Sequence, residues 1–162
     1  MNQLLSDPAA LAGVLSMLLS ADQVKNGELA LKPFLKNPNC IPALMQQLNP
    51  ASPSGNRHQA ALLLKKKFMA GKVLVKFDAA QQAAMKNQML QLMVNESEKA
   101  VSTAISGAVA CLAKCVFASQ NNTGTWDELL GLLGQLAQNP SEGMRTLNYS
   151  LLEQVCVWCV KL

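Results

Sequence analysis

The sequence predicts an all-α fold, organised as an α-solenoid of antiparallel helix pairs, and three observations lead to this prediction. Helix-favouring Ala, Leu, Gln, Met and Lys dominate the chain, and period-two runs of β-branched residues are missing. Helix caps and Asn-Pro pairs divide the chain into helix-sized segments. The order of these stops and starts repeats. With 162 residues, 50% of them hydrophobic, the chain suits a single segment, 1–162, with a sizeable core.

Eight helices are predicted in order, and each is bounded by a capping residue or a helix breaker. Asp7 and Pro8 begin the first as N-cap and first-turn proline, Asp22 caps the second, Asp78 caps the fifth and Ser141 caps the last. The predicted ranges are 8–20, 23–36, 40–48, 57–70, 79–94, 97–118, 126–138 and 142–162. The main connections are a Pro/Ser/Gly loop at 51–55, a basic connector at 71–77 and a polar loop at 119–125.

One order of features occurs twice in the chain: a helix, an Asn-Pro stop, a short loop and a Gly-x-Arg start. The stop at 49–50 leads to Arg57, and the stop at 139–140 leads to Arg145. The two arginines are about two periods of ~44 residues apart, in the range of HEAT repeats, and Lys99 stands midway between them. This repetition favours HEAT-repeat helix pairs over the alternative, an unrelated bundle of eight helices.

The residue inventory favours a protein without catalytic activity. His58 is the one histidine, so a histidine-rich zinc site cannot form, and its place beside Arg57 is more typical of a solvated helix residue than of a general base. No nucleophile elbow, phosphate-binding loop, dinucleotide fingerprint or HExxH motif occurs. The sequence therefore predicts a binding protein with no cofactor and a function carried by its surface.

Four of the five cysteines lie in two apolar segments at helical spacing. Cys111 and Cys115 are four residues apart, and Cys156 and Cys159 are three apart, so each pair shares one face of a helix. The spacing is open to two interpretations, a four-thiolate metal site or small apolar filler between packed helices. The second is favoured, because zinc motifs place such pairs in knuckles, and no bound metal is predicted.

Neither membrane insertion nor direct nucleic-acid binding is predicted. The apolar stretch 11–21 is too short to cross a bilayer, and no Lys or Arg precedes it as in a signal peptide. A basic segment is read as a solvated helix end and its connector, since no nucleic-acid recognition motif accompanies it. Its lysines are Lys65, Lys66, Lys67, Lys72, Lys76 and Lys86.

Four stretches together resemble the N-terminal HEAT repeats of the importin-beta (karyopherin-beta) nuclear transport receptors, most nearly the large importins that carry histones and ribosomal proteins. Residues 22–48, with Pro-Asn-Cys-Ile-Pro-Ala-Leu at 38–44, are similar to the family's opening repeat. Residues 57–67 resemble its second repeat, 85–96 its next helix and turn, and 126–130 the start of its third inner helix. Two differences are Val73-Leu74 in place of a tryptophan and Asp127 in place of a proline.

This resemblance implies an N-terminal segment of a longer receptor that shuttles between cytoplasm and nucleus. It further implies partners of three kinds: a Ran-type small GTPase in its GTP form, basic cargo proteins and nucleoporins. The GTPase would bind polar positions of the inner helices 40–48, 79–94 and 126–138. The candidate contact residues are Gln46, Gln47, Gln82, Lys86, Asn87, Gln91 and Gln135. The alternative function is a structural HEAT-repeat scaffold subunit that organises other proteins.

Several side chains have two interpretations, and burial separates them. Trp126 is expected as a core wedge rather than a ligand contact. Arg57 and Arg145 are expected to bond the preceding carbonyls or an acid of a neighbouring repeat. Lys86 is expected to be exposed, so that its charge reversal weakens GTPase binding with little loss of stability. Four residues at helical spacing could form either a buried core stripe or an adaptable methionine-rich surface, and the core stripe is favoured. They are Met85, Met89, Leu92 and Met93.

Overall fold

The computed structural model describes residues 3–71, 74–118 and 125–159, and across these ranges it contains helices and no strand, which confirms the all-α prediction. The helices are α1 (Gln3–Ser6), α2 (Pro8–Met17), α3 (Val24–Lys36), α4 (Cys40–Gln46), α5 (Ser54–Met69), α6 (Ala79–Asn95), α7 (Lys99–Ala118), α8 (Asp127–Ala137) and α9 (Glu142–Cys159). One 3-10 turn, Leu74–Lys76, lies between α5 and α6.

The predicted helices correspond to α2 to α9, with small differences at their ends. The short α1 is an addition that no sequence signal indicated. Helix α5 begins at Ser54, before the predicted start, because the carbonyl of Pro53 already accepts a hydrogen bond from the backbone N–H of Arg57 at 3.0 Å. Most of the predicted polar loop at 119–125 and the last residues of the final helix lie outside the described residues.

Of the N-caps predicted for α2, α3 and α6, two are confirmed and one is wrong. The Asp7 carboxylate accepts hydrogen bonds from the backbone N–H groups of Ala9 and Ala10 at 2.9 and 3.1 Å. Asp78 and Gln81 form a reciprocal capping box, with bonds of 2.8 and 3.0 Å. Asp22 does not cap α3, because the N-cap position belongs to the next residue, which makes no side-chain cap bond.

The three Asn-Pro stops share one local geometry. The side-chain oxygens of Asn37, Asn49 and Asn139 each accept a hydrogen bond, 2.9 Å long, from the backbone N–H two residues later. This asparagine turn satisfies one backbone donor while the proline, which has no N–H, stops the preceding helix. The stops recognised in the sequence therefore terminate their helices by the same mechanism.

The longer helices pack in a regular order. Helix α2 packs on α5, α5 on α7 and α7 on α9. Helices α4, α6 and α8 each pack on the helix that follows them in the chain, namely α5, α7 and α9. Helix α3 contacts α2 and α4. A short loop thus joins each of α4, α6 and α8 to its main packing partner.

The core runs along α7, which is buried over most of its length. Among the described residues α7 is also the one helix long and apolar enough to cross a membrane. Most of its apolar side chains are buried in this core. Met85, Met89 and Met93 are buried and confirm the predicted core stripe of α6, while Leu92 is half-buried at its margin.

Candidate partner-binding site

A groove of about 490 Å³ runs between α6 and α8, and its lining residues all belong to these two helices. The residues that α6 contributes are spaced three and four apart, as are those of α8, because such residues share one face of a helix. The groove is lined by Asn87, Leu90, Gln91, Val94, Asn95, Glu128, Gly131, Leu132 and Gln135. Leu90, Val94 and Leu132 are buried or half-buried and form an apolar floor, and the exposed amides form the rim.

A smaller groove of about 240 Å³ adjoins the first on the other side of α6. Leu48 and Pro50, which follow α4, form one wall, and residues of α6 form the other. Gln91 and Asn95 line both grooves, so they stand on the ridge between them. A single amide-rich surface therefore extends from the end of α4 across α6 to α8.

Three of the predicted contact residues, Asn87, Gln91 and Gln135, come together in the α6–α8 groove. Gln46 is exposed on α4 but lines neither groove. Helical periodicity places Asn87 and Gln91 on one face of α6, and the tertiary arrangement of α6 and α8 brings Gln135 to the same groove.

Two of the predicted contact residues, Gln47 and Gln82, make hydrogen bonds within the fold. Gln47 is 4% exposed, and its amide nitrogen donates a 2.9 Å hydrogen bond to the carbonyl of Pro8, joining α4 to the start of α2. The amide nitrogen of Gln82 donates to the carbonyls of Leu74 and Phe77, both at 2.9 Å, and holds the 3-10 turn. Polarity alone does not separate a surface amide from one that satisfies a buried carbonyl.

Lys86 lies over the ring of Trp126, with the ammonium nitrogen 6.0 Å from the ring centroid. Trp126 is completely buried, which confirms the predicted core wedge, and Lys86 is half-buried. Lys86 was expected to be exposed, and the structure shows it only partly exposed. Its reversal would also remove a cation–π contact, which is worth about 0.5–1 kcal/mol at exposed sites.

The guanidinium of Arg57 holds the loop before α5 to the end of α6. It forms a two-pronged ion pair with Glu96, with both N–O distances 3.0 Å, and donates to the carbonyls of Pro50 and Ser52 at 3.0 and 2.7 Å. The two charged side chains are 9% and 4% exposed. Arg145 donates to the carbonyls of Asn139 and Pro140 at 3.0 and 2.8 Å. The expected roles of both arginines are confirmed.

The sequence-based reasoning missed Asn95, Glu128 and Gly131 as groove residues. Asn95 follows Asn87 and Gln91 at the same four-residue spacing, so the helix periodicity could have indicated it. Glu128 lies in the first turn of α8, where an acid stabilises the helix dipole, so nothing in the sequence assigns it to a groove as well. Nothing in the sequence indicates that Gly131 lines a groove. In the structure, a Cβ atom placed on it would meet no atom within 4 Å.

A third groove, of about 560 Å³, lies elsewhere and is less suited to a polar partner. It is lined mainly by the first turns of α7 and α9. The hydroxyls of Thr103, Ser106 and Thr146 each donate to the backbone carbonyl four residues earlier, at 2.8 to 2.9 Å. Their protons are therefore already engaged within the helices.

The thiols of Cys40, Cys111 and Cys115 are buried, as predicted for the latter two. Burial raises the pKa of each above the ordinary value of 9.0, and Cys115 donates a 2.9 Å hydrogen bond to the carbonyl of Phe68. The side chains of Cys156 and Cys159 lie outside the described part of the structure. No group of three His, Cys, Asp or Glu side chains that could hold a metal occurs among the residues described.

These thiols give the protein a predicted alkaline instability. In the unfolded chain they ionise near pH 9, whereas the folded state keeps them protonated to higher pH, so stability falls as the pH rises above about 9. Replacing Cys40, Cys111 and Cys115 together with alanine is expected to flatten this fall. The free energy of unfolding is measured by urea denaturation at about pH 8 and about pH 9.5. An equal loss of stability between these two pH values in parent and variant would contradict the prediction.

A scan of the chain against models of known protein families finds no match, and a search of the curated proteins finds none either.

Proposed function

We propose that this chain is the N-terminal segment of an α-solenoid nuclear transport receptor, similar to the importin-beta family, and that α4, α6 and α8 are its inner helices. In this proposal a Ran-type GTPase in its GTP form binds the amide-rich surface of these helices. GTPase binding would control the release of basic cargo as the receptor shuttles between cytoplasm and nucleus.

The packing order supports a solenoid. Helix α5 packs on α7 and α7 on α9, and each of the three is preceded in the chain by a helix that packs on it. A solenoid repeat contacts mainly its neighbours, and this order has that property. The arginine positions also support it, because Arg57 bonds an acid 39 residues further along, in the next helix pair.

The groove at Gly131 carries the proposal of a partner site. A glycine inside a helix lowers stability by roughly 0.5–1 kcal/mol relative to alanine, and it is useful where another backbone must approach closely. Among the described residues, no atom lies within 4 Å of a Cβ atom placed on Gly131, and this glycine lines the groove. The rim around it consists of amides and one carboxylate, which suits a polar, hydrated interface whose electrostatics set rate and specificity.

The test is binding of the chain to a Ran-type GTPase loaded with a non-hydrolysable GTP analogue or with GDP, measured by calorimetry. Tighter binding of the GTP form is expected. Gly131→Gln is expected to weaken this binding at least about tenfold, or ~1.4 kcal/mol, by filling the groove.

Gly134→Gln is the matched control. Gly134 lies in the same helix, is exposed, has the same open surroundings for a Cβ atom and does not line the groove. Both variants should gain helix stability, so a binding loss confined to Gly131→Gln assigns the surface. Equal binding of the two nucleotide forms would contradict the transport proposal and leave a nucleotide-independent scaffold as the better function.

A further inference from the structure

A second surface, which shares no residue with the three grooves, lies where α3 and α5 end together, next in the chain to the 3-10 turn. The ammonium of Lys67, in the last turn of α5, donates a 2.6 Å hydrogen bond to the carbonyl of Leu35 near the end of α3. The 3-10 turn Leu74–Lys76 follows α5 within a few residues and is held by Gln82. We name this surface the basic edge, and it consists of Lys36, Lys66, Lys67, Met69, Val75 and Lys76.

The basic edge combines positive charge with exposed apolar side chains. Lys36, Lys66 and Lys76 are exposed. Val75 is 83% exposed and Met69 is 60% exposed, although both are apolar. The nearest acid in sequence, Asp78, is engaged in capping α6. Because the edge has four lysines, its net charge stays positive even when the Asp78 carboxylate is counted, and it also exposes two apolar side chains.

Folding explains only part of this composition. Lysines in the last turns of α3 and α5 stabilise the negative ends of the helix dipoles, which accounts for Lys36, Lys66 and Lys67. It does not account for Lys76 beside an almost fully exposed Val75. Val75 and Met69 contribute little to the core, and their position next to the lysines gives the edge a mixed cationic and apolar character.

We infer that the basic edge docks peripherally on an anionic phospholipid surface. Lysines would lie against the headgroups while Val75 and Met69 enter the boundary of the acyl region, a combination typical of interfacial binding. The edge is formed by helix ends and a turn, and none of the three grooves includes a residue of it. A flat bilayer suits a surface without a groove better than an amphipathic helical peptide, which lays its apolar face in one.

Nucleic acid fits the basic edge less well than lipid. Single-stranded nucleic acid is bound through aromatic side chains on which bases stack. The aromatic residues of this region, Phe68 and Phe77, are 1% and 9% exposed and face the core. Phosphate contacts alone would also leave Val75 and Met69 in water.

The size of the effect follows from the charges. Each lysine near an anionic membrane contributes roughly a fivefold increase in affinity, and the contribution fades beyond about 10 Å at 0.1 M salt. Lys66→Gln together with Lys76→Gln is therefore expected to weaken binding by about 25-fold. Val75→Ser is expected to weaken it severalfold without any change in charge.

The experiment is co-sedimentation with vesicles of phosphatidylcholine alone or mixed with phosphatidylserine, near physiological salt. The parent chain should bind only the mixed vesicles, and both edge variants should lose binding. The matched charge control is Lys25→Gln with Lys99→Gln, at two exposed positions outside the edge. Lys99 is far from the basic edge. It begins α7, and Cys115, which hydrogen-bonds to the end of α5, lies sixteen residues and about 24 Å further along the helix. Tyr149→Ser, at another exposed side chain, controls for Val75→Ser.

Three results would each overturn the inference: equal binding of the two vesicle types, equal losses in the edge and control pairs, or tighter binding of duplex RNA or polyglutamate than of mixed vesicles. Circular dichroism keeps folding separate from binding, because exposed substitutions of this kind change the stability little. The basic edge and the α6–α8 groove are different surfaces, so loss of vesicle binding and loss of GTPase binding are measured independently.

Discussion

Arg57→Met is expected to lower the free energy of unfolding by about 3–5 kcal/mol, because it leaves the Glu96 carboxylate buried without its cation. The pair is formed by two bonds of 3.0 Å between side chains that are almost completely buried. The same substitution also leaves the carbonyls of Pro50 and Ser52 without a donor. Urea unfolding followed by circular dichroism measures the loss.

A double-mutant cycle separates the ion pair from the rest of this effect. Glu96→Gln keeps an acceptor for the backbone N–H of Glu98, which now donates to the carboxylate at 2.9 Å, but removes the charge. Adding it to Arg57→Met should therefore restore a large part of the lost stability. Arg145→Met is the matched control and should cost only about 1 kcal/mol, since Arg145 is bonded to two carbonyls at a more exposed site.

Similar losses for Arg57→Met and Arg145→Met would contradict this account. Such a result would mean that the carbonyl bonds, which both arginines make, dominate and that the carboxylate adds nothing. The comparison is sharp because the two arginines occupy equivalent places after an Asn-Pro stop and differ mainly in the acid.

Trp126→Ala is expected to cost about 3–5 kcal/mol, the range for removing a large buried aromatic side chain. Trp126 is the largest fully buried side chain of the described core, and it stands immediately before α8. Its loss leaves a cavity under the first turn of that helix and removes the ring that Lys86 contacts. Because α8 forms one wall of the groove, GTPase binding should weaken together with stability.

Leu130→Ala is the control for this change. Leu130 lies on the same helix and is 56% exposed, so its truncation should change the unfolding free energy by only about 0.5 kcal/mol. Trp126→Phe should fall between the two, since it retains part of the buried volume. A loss of less than about 1 kcal/mol for Trp126→Ala would show that the site collapses around the deletion and that the residue is not a wedge.

Local features of the fold were predictable because short stretches of sequence control them. The Asp7 and Asp78 caps, the asparagine turns at the Asn-Pro stops and the apolar stripe of α6 each depend on residues within one or two helical turns. The error at α3 has the same origin, since Asp22 resembles a cap in sequence but lies one position too early.

The sequence by itself determined that this chain is helical, where most of its helices begin and end, and that Trp126 and the methionine stripe are buried, since propensity, capping and periodicity act locally. Only the tertiary structure decided that Glu96 is the acid that Arg57 binds, that Gln47 bonds the start of α2, and that Asn87 and Gln135 share a groove. Each of these depends on contacts between residues about 39 to 48 positions apart, which follow from how the helices pack and not from any local pattern.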